Sequence, residues 1–221
     1  MLQKKIDDLK SELRKCGHDV ELIAVTKFHP AQTINEAIDC GITDIGESRV
    51  QEILSKYELV KPVRWHLIGH LQTNKVRQIV DKIYMIHSLD SENLAKEIDK
   101  RCAATGKQMN VLIQVNVAGE EQKYGIAPGD VRDFAKTVAA LPNLKLRGLM
   151  QIAPYADDPE EIRPCFRQLK ELFDELKAVY GDDFDTLSMG MSNDYKIAAE
   201  EGATCVRVGT LLFGERDYSK Q

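Results

Sequence analysis

The sequence predicts an α/β protein built as a single (β/α)8 TIM barrel with an extra N-terminal helix. Three observations carry that prediction. Eight short apolar segments alternate with stretches of helical periodicity. Several of those stretches open at Pro or Ser, which suit helix beginnings. No Gly-x-Gly-x-x-Gly turn follows any of the strands, as a dinucleotide-binding doubly wound sheet would require.

The elements follow in order. Met1 to Lys15 alternates charged and aliphatic residues as a helix outside the barrel count. The first strand spans Glu21 to Lys27. The others lie near Asp44 to Gly46, Arg64 to Ile68, Lys82 to Ser88, Asn110 to Asn116, Lys145 to Gln151, Thr186 to Gly190 and Cys205 to Gly209. Helices start near Pro30, Arg49, Leu71, Ser91, Pro128, Pro159 and Ser192. Eight βα units in about 200 residues sit at the lower end of the size range for such a barrel. No composition shift or Pro/Gly/Ser-rich linker divides the chain, so residues 1–221 are expected to form one domain.

Composition excludes several function classes. With 43% hydrophobic and 29% charged residues the chain reads as soluble and globular. Its longest apolar runs, such as Val111 to Val117, fall far short of the roughly 20 residues of a membrane span. The N-terminus has no apolar stretch with a small-residue cleavage site, which points to the cytoplasm. A net charge of −5 supplies no electrostatic footprint for nucleic acid. Cys16, Cys40, Cys102, Cys165 and Cys205 are odd in number and widely spaced, and read as reduced, mostly buried thiols.

Lys27 closes the strand Leu22-Ile23-Ala24-Val25-Thr26-Lys27, and period-two alternation puts it on the face of Ile23 and Val25. If that face is the barrel interior, the amine emerges at the C-terminal mouth, where barrel active sites lie and a lysine can act as nucleophile. Alternation alone leaves open a strand-end lysine that simply reaches water. The seventh and eighth strands run into Ser188-Met189-Gly190-Met191-Ser192-Asn193-Asp194 and Arg207-Val208-Gly209-Thr210. Glycines beside hydroxyl residues at helix starts leave main-chain N–H groups and hydroxyls for an anion, and these are the loops with which barrels often hold phosphate. Ordinary helix caps at Ser192 and Thr210 are the bland alternative.

Arg207 interrupts an apolar strand and is costly there unless it meets an anion, an acceptor or a structural carboxylate. His66 and His70 are spaced like a helical metal pair. They fall on a strand and its exit, without His-Glu-x-x-His and without an obvious third ligand, so ligand contact or orientation of neighbours is preferred over metal binding. Acidic pairs such as Glu120-Glu121 and Asp182-Asp183 read as solvated loops.

Taken together, Ala24-Val25-Thr26-Lys27, Ile45-Gly46-Glu47, Val50-Gln51-Glu52, His66 through Lys75, Arg147-Gly148-Leu149-Met150, Leu187 through Ser192 and Val206 through Thr210 resemble the YggS/PROSC family, the pyridoxal phosphate homeostasis proteins. The match runs in order from about Leu22 to the C-terminal Phe213-Gly214-Glu215-Arg216-Asp217-Tyr218. The resemblance implies a barrel related to the N-terminal domain of alanine racemase that bears pyridoxal 5′-phosphate (PLP), with Lys27 as the Schiff-base lysine. It gives Ser188, Ser192, Gly209 and Thr210 the phosphate role and sets Arg207 against the pyridine nitrogen. His66 and Met189 are further expected cofactor-side positions, and so is Ser48. The family usually has Gly-Glu-Asn where this chain has Gly46-Glu47-Ser48, and serine is shorter and lacks the amide donor. Phe28, after the lysine, is also less usual there.

The function the resemblance implies is a carrier or buffer of PLP in PLP and amino-acid homeostasis, without dedicated turnover. PLP-dependent apo-enzymes are its expected recipients, and a monomer is its expected form. One alternative is a PLP-dependent amino-acid racemase, although such racemases resembling this barrel add a β-domain and a partner-subunit tyrosine for which the chain has no room. The other is a Schiff-base aldolase or phosphosugar isomerase, which a strand-one lysine and a strand-eight arginine fit less well.

Overall fold

The computed structural model describes residues 1–120 and 122–214. Glu121 and the C-terminal motif residues Glu215, Arg216, Asp217 and Tyr218 lie outside them. Among the described residues eight parallel strands close into a barrel in sequence order, β8 pairing back onto β1 through Glu21–Cys205, Leu22–Val206, Ile23–Arg207 and Ala24–Val208. The strands are β1 Glu21–Val25, β2 Asp44–Glu47, β3 Arg64–Leu67, β4 Met85–Leu89, β5 Met109–Gln114, β6 Leu144–Met150, β7 Thr186–Ser188 and β8 Cys205–Val208. The α/β barrel read from the sequence is therefore the observed architecture.

Alternation sorts the strand residues. Leu22 and Ala24 join the large core between barrel and helices, while Ile23 and Val25 stay out of that core on the inner face. A Cβ placed on Gly46 would come within 2.9 Å of Ile23 Cγ2, so β1 and β2 meet closely inside the barrel. Met85, Leu112 and Met150 form a small separate inner cluster.

The helices pack on the outside by amphipathic spacing. In α1 (Leu2–Arg14) the buried stripe is Ile6, Leu9 and Leu13. It lies against α7 (Tyr195–Glu200) and α8 (Thr210–Phe213), where Glu12 accepts hydrogen bonds from Tyr195 Oη and Lys196 Nζ. α2 (Ala31–Asp39) follows Pro30 and α3 (Val50–Lys56) follows Arg49, as expected. α4 (Glu92–Thr105) starts at the Ser91 cap, whose side chain accepts from Leu94 N–H, and stops at Gly106. α5 (Val131–Ala139) and α6 (Arg163–Tyr180) pack on β6. In α6 Phe166, Leu169, Leu172, Phe173 and Leu176 are buried, each worth about 1.5–3 kcal/mol on burial. Truncating Phe166 to alanine would cost about 3–5 kcal/mol.

Two expectations are corrected. After Leu71 there is only a 3-10 segment, Thr73–Gln78, instead of an α-helix. The buried residues Val76, Ile79, Val80 and Ile83 do fall at three- and four-residue spacing, but the backbone here makes only the 3-10 segment followed by turns, so the apolar period is helical without an α-helix. Of the cysteines only Cys102 and Cys205 are buried; Cys16, Cys40 and Cys165 are half-buried, and all five are free thiols. No helix among the described residues is long and apolar enough to cross a membrane.

Candidate functional site

Lys27 follows β1 two residues beyond the inward-facing Val25, and both line a cavity of ≈ 390 Å³ at the C-terminal ends of the strands. That volume lies within the range of about 300–1,000 Å³ usual for small-molecule sites. Just after the lysine the chain turns sharply: Phe28 has φ +67°, in the left-handed region that a bulky residue rarely adopts. Its N–H donates to Glu52 Oε2 at 2.8 Å. Lys27 Nζ stands 4.9 Å from the Phe28 ring centroid, and the Arg49 guanidinium 5.4 Å from the same ring.

The opposite side of the cavity is built from two chain turns. Ser192, Asn193 and Asp194 precede α7, and Gly209 and Thr210 open α8. Gly209 N–H donates to Ser192 Oγ at 3.3 Å, so the serine bridges the two turns rather than capping its own helix. Asp194 accepts from Met191 N–H, and burial pushes its carboxyl above the usual range. Gly190, at φ +92°, lets this turn lie flat on α7, because a Cβ there would come within 2.5 Å of Ala198 Cβ. Its carbonyl accepts from Arg207 N–H at 3.0 Å.

Arg207 lies 3% exposed at the floor of the cavity. It donates from Nη1 to Ser188 Oγ at 2.6 Å and from Nη2 to the Gln151 carbonyl at 2.7 Å, with no ion pair to a carboxylate among the described residues. The structural carboxylate left open by the sequence is therefore absent there. Burial lowers the guanidinium pKa.

Behind Arg207 a buried file of polar groups crosses the barrel. His87 Nδ1 is 3.0 Å from Ser188 Oγ, His87 Nε2 is 2.9 Å from His66 Nδ1, and His66 Nε2 is 2.8 Å from Asp44 Oδ1. Complete burial holds the His87 pKa well below the ordinary value, so this ring is neutral. One arrangement satisfies every member: Arg207 donates to Ser188, Ser188 to His87, His87 to His66, and His66 to the Asp44 carboxylate. At Asp44 burial pushes the pKa up, but hydrogen bonds from His66, Arg64 and Thr43 outweigh it and hold the group at about 2.

Of the nine expected site residues, Lys27, Ser48, Ser192, Arg207, Gly209 and Thr210 line the cavity. The other three do not. Ser188 is completely buried beneath Arg207, because β7 turns it inward below the mouth. Met189, its neighbour on the alternate face, belongs to the core between barrel and helices. His66 sits deep in the interior within the polar file. His66 and His70 also part company, since His70 stacks on Tyr124 at 3.8 Å and pairs with Asp90. No group of His, Cys, Asp and Glu suited to a metal ion occurs among the described residues. Sequence reasoning missed Asp44 and His87, whose signal was a polar side chain at an inward strand position, and the Gln151 carbonyl, a main-chain group that no side-chain pattern marks.

The family model described as alanine racemase, N-terminal domain, matches residues 2–217. A pyridoxal phosphate homeostasis protein of Aquifex aeolicus is 50% identical over 222 residues, covering 98% of this chain and 97% of that one. Among solved structures, PipY of Synechococcus elongatus without PLP is similar with a TM-score of 0.90 at 37% identity, covering 97% of this chain and all of PipY. PipY with PLP bound gives 0.87 at 36% identity, with the same coverage. By the extent of these matches the chain belongs to the alanine racemase N-terminal domain family and, within it, to the pyridoxal phosphate homeostasis proteins.

Proposed function

We propose that this chain binds PLP in the cavity at the barrel mouth, holds its aldehyde on Lys27 as a Schiff base, and carries or buffers the cofactor in PLP and amino-acid homeostasis. One observation carries this reading: the Lys27 amine, the Arg207 guanidinium and the paired turns at Ser192 and Gly209-Thr210 share one cavity. The donor set fits each part of the cofactor: a primary amine for the aldehyde, a guanidinium N–H for the ring nitrogen, and hydroxyls with main-chain N–H groups for the phosphate. PLP-bound PipY and the relatives' name support the same assignment. When bound, the cofactor supplies a reactive aldehyde and an electron-accepting ring.

The protein's side chains then divide the work. Lys27 attaches and releases, Ser192, Gly209 and Thr210 hold the anionic end, and Ser48 lines the near wall. Arg207 stays charged near neutrality and donates to the ring nitrogen, which keeps the ring a weak electron sink. Ser188 and His66 act from behind by orienting Arg207, and Met189 packs the strand that carries Ser188. Residues 1–221 serve as one PLP-binding domain, working as a monomer in the cytoplasm, with PLP-dependent apo-enzymes as recipients and no nucleic-acid or membrane partner.

We assign no dedicated turnover. Besides Lys27 and Arg207 the titratable cavity residues among the described residues are Tyr155 and Asp194. Tyr155 is 84% exposed with its hydroxyl donating to Asp157, and Asp194 accepts from Met191 N–H, so both are engaged elsewhere and we assign neither as a partner of Lys27 for two-sided proton transfer. Borohydride reduction of the PLP-loaded protein followed by peptide mapping tests the attachment: the label is expected on Lys27. A label mainly on Lys123, whose Nζ bonds Glu120 and the cavity-lining Ala153 carbonyl, would overturn it. Racemisation of alanine that is lost in Tyr155→Phe would replace the carrier with an enzyme.

A further inference from the structure

Outside the cavity, on the outer side of β2, three ionisable side chains are packed together with no role yet assigned. Glu47 is fully buried, Lys56 at the end of α3 is 9% exposed, and Glu52 lies one helical turn before it. Lys56 Nζ donates to Glu47 Oε1 at 2.8 Å and to Glu52 Oε2 at 2.9 Å. Charged groups are rarely buried together without a task, since their desolvation offsets most of their attraction.

What the cluster grips is the main chain around Lys27. Thr26 Oγ1 donates to Glu47 Oε1 at 2.7 Å, and the Thr26 carbonyl accepts from Lys56 Nζ at 3.2 Å. On the other side of the lysine, Phe28 N–H donates to Glu52 Oε2. All three members therefore hold residue 26 or residue 28, and residue 28 is the one whose backbone is in the left-handed region. Such a conformation costs on the order of 1–3 kcal/mol and persists where the surroundings fix it.

A second observation concerns protons. Glu47 Oε2 and Glu52 Oε1 are buried and have no hydrogen-bond partner among the described residues. A single proton on the Glu47 carboxyl removes one of two buried negative charges and leaves Glu52 to balance Lys56. Burial, the largest influence on Glu47, supports this by raising its pKa to about 7.

We propose that the Glu47–Lys56–Glu52 cluster is the positioning device of Lys27: it clamps the main chain on both sides of that residue and so decides whether the amine stands where it can condense with an aldehyde in the cavity. The inference rests on the PLP-binding reading above and deepens it. The three residues touch no cavity surface, so they act through the backbone alone.

The test compares apo forms of the wild type, Glu52→Ala and Glu52→Gln. The rate of PLP attachment is followed by the absorbance change, with borohydride trapping on Lys27 as the end point. Binding of 4′-deoxypyridoxine 5′-phosphate, which has no aldehyde, is measured by calorimetry. Glu52→Ala should slow attachment by on the order of ten- to a hundredfold, the scale on which a small misplacement of a reacting group acts. Glu52→Gln, whose amide oxygen still accepts from Phe28, should recover most of the rate. All three proteins should bind the aldehyde-free compound within about twofold of one another, since the clamp leaves the binding surface untouched. Thr26→Val, which deletes only the hydroxyl grip on Glu47, provides an independent variant and should also slow attachment. Wild-type rates in Glu52→Ala or in Thr26→Val, or a parallel loss of analogue binding, would overturn the clamp. Wild-type protein that takes no label on Lys27 would overturn the attachment and the clamp with it.

Discussion

Replacing Glu47 by glutamine should remove a defined part of the protein's pH dependence. The carboxyl is fully buried, with Oε1 accepting from Thr26 and Lys56 and Oε2 without a partner among the described residues. Burial carries its pKa from 4.5 to about 7; Lys56 and Thr26 favour the ionised form without overcoming it, and Glu52 pushes it further up. The folded protein thus holds this proton more tightly than the unfolded chain, and stability from it is complete below about 4.5 and lost as pH rises through about 7. At about 1.4 kcal/mol per tenfold change, wild type should lose between about 2 and 3 kcal/mol from this group between roughly pH 5 and 8. Glutamine keeps the acceptor and cannot ionise. Urea midpoints measured for both proteins across that range give the difference in stability, in which titrating groups remote from the Glu47–Lys56–Glu52 cluster cancel. The difference should move in favour of Glu47→Gln by that amount as pH rises. Asp44 does not interfere, because its depressed pKa of about 2 acts with the opposite sign and only at lower pH. A difference that stays constant with pH would show that Glu47 holds no proton in the folded protein.

Three further outcomes follow from the same geometry. Pyridoxal without its phosphate should bind at least about a hundredfold more weakly than PLP in a titration, since the Ser192 and Gly209-Thr210 turns are the anion-holding end; equal affinity would remove the phosphate role. Arg207→Glu, checked for folding and PLP content, should speed the slow conversion of bound PLP to pyridoxamine phosphate in excess alanine, because a carboxylate favours a protonated ring nitrogen. Rapid conversion by the wild type would contradict the weak-sink account, and an unchanged slow rate in the variant would leave Arg207 without that role. Gly190→Ala should destabilise the fold by about 1–3 kcal/mol, through its left-handed backbone and the close approach to Ala198, and an unchanged urea midpoint would refute that packing argument.

Much of this protein was legible along the chain. Eight alternating apolar segments determined the barrel, since a period of two or of 3.6 residues is a local property that burial simply reads out. The same period put Lys27 in line with Ile23 and Val25, and glycine beside serine or threonine marked the two turns that meet at the cavity. Where the local rule stopped, expectation and structure diverged. Ser188 and Met189 lie in a motif that does build the site, but Met189 takes the alternate, helix-facing side, and Ser188 points inward under Arg207 at a depth along the strand that alternation does not measure. His66 shared a short segment with His70, yet strand geometry sent the two to different places. Curling of the sheet into a barrel brings Ser188 of β7 to His87 of β4, 101 residues away, and pairing across β7 brings Arg207 to the Gln151 carbonyl, 56 residues away. The clamp on Lys27 likewise needs α3 folded back over β1 and β2, so that Glu52 and Lys56 reach main-chain atoms 24 and 30 residues earlier. Periodicity tells each residue which way to face; which distant side chain it then meets is decided by how the strands close and how deep each one lies.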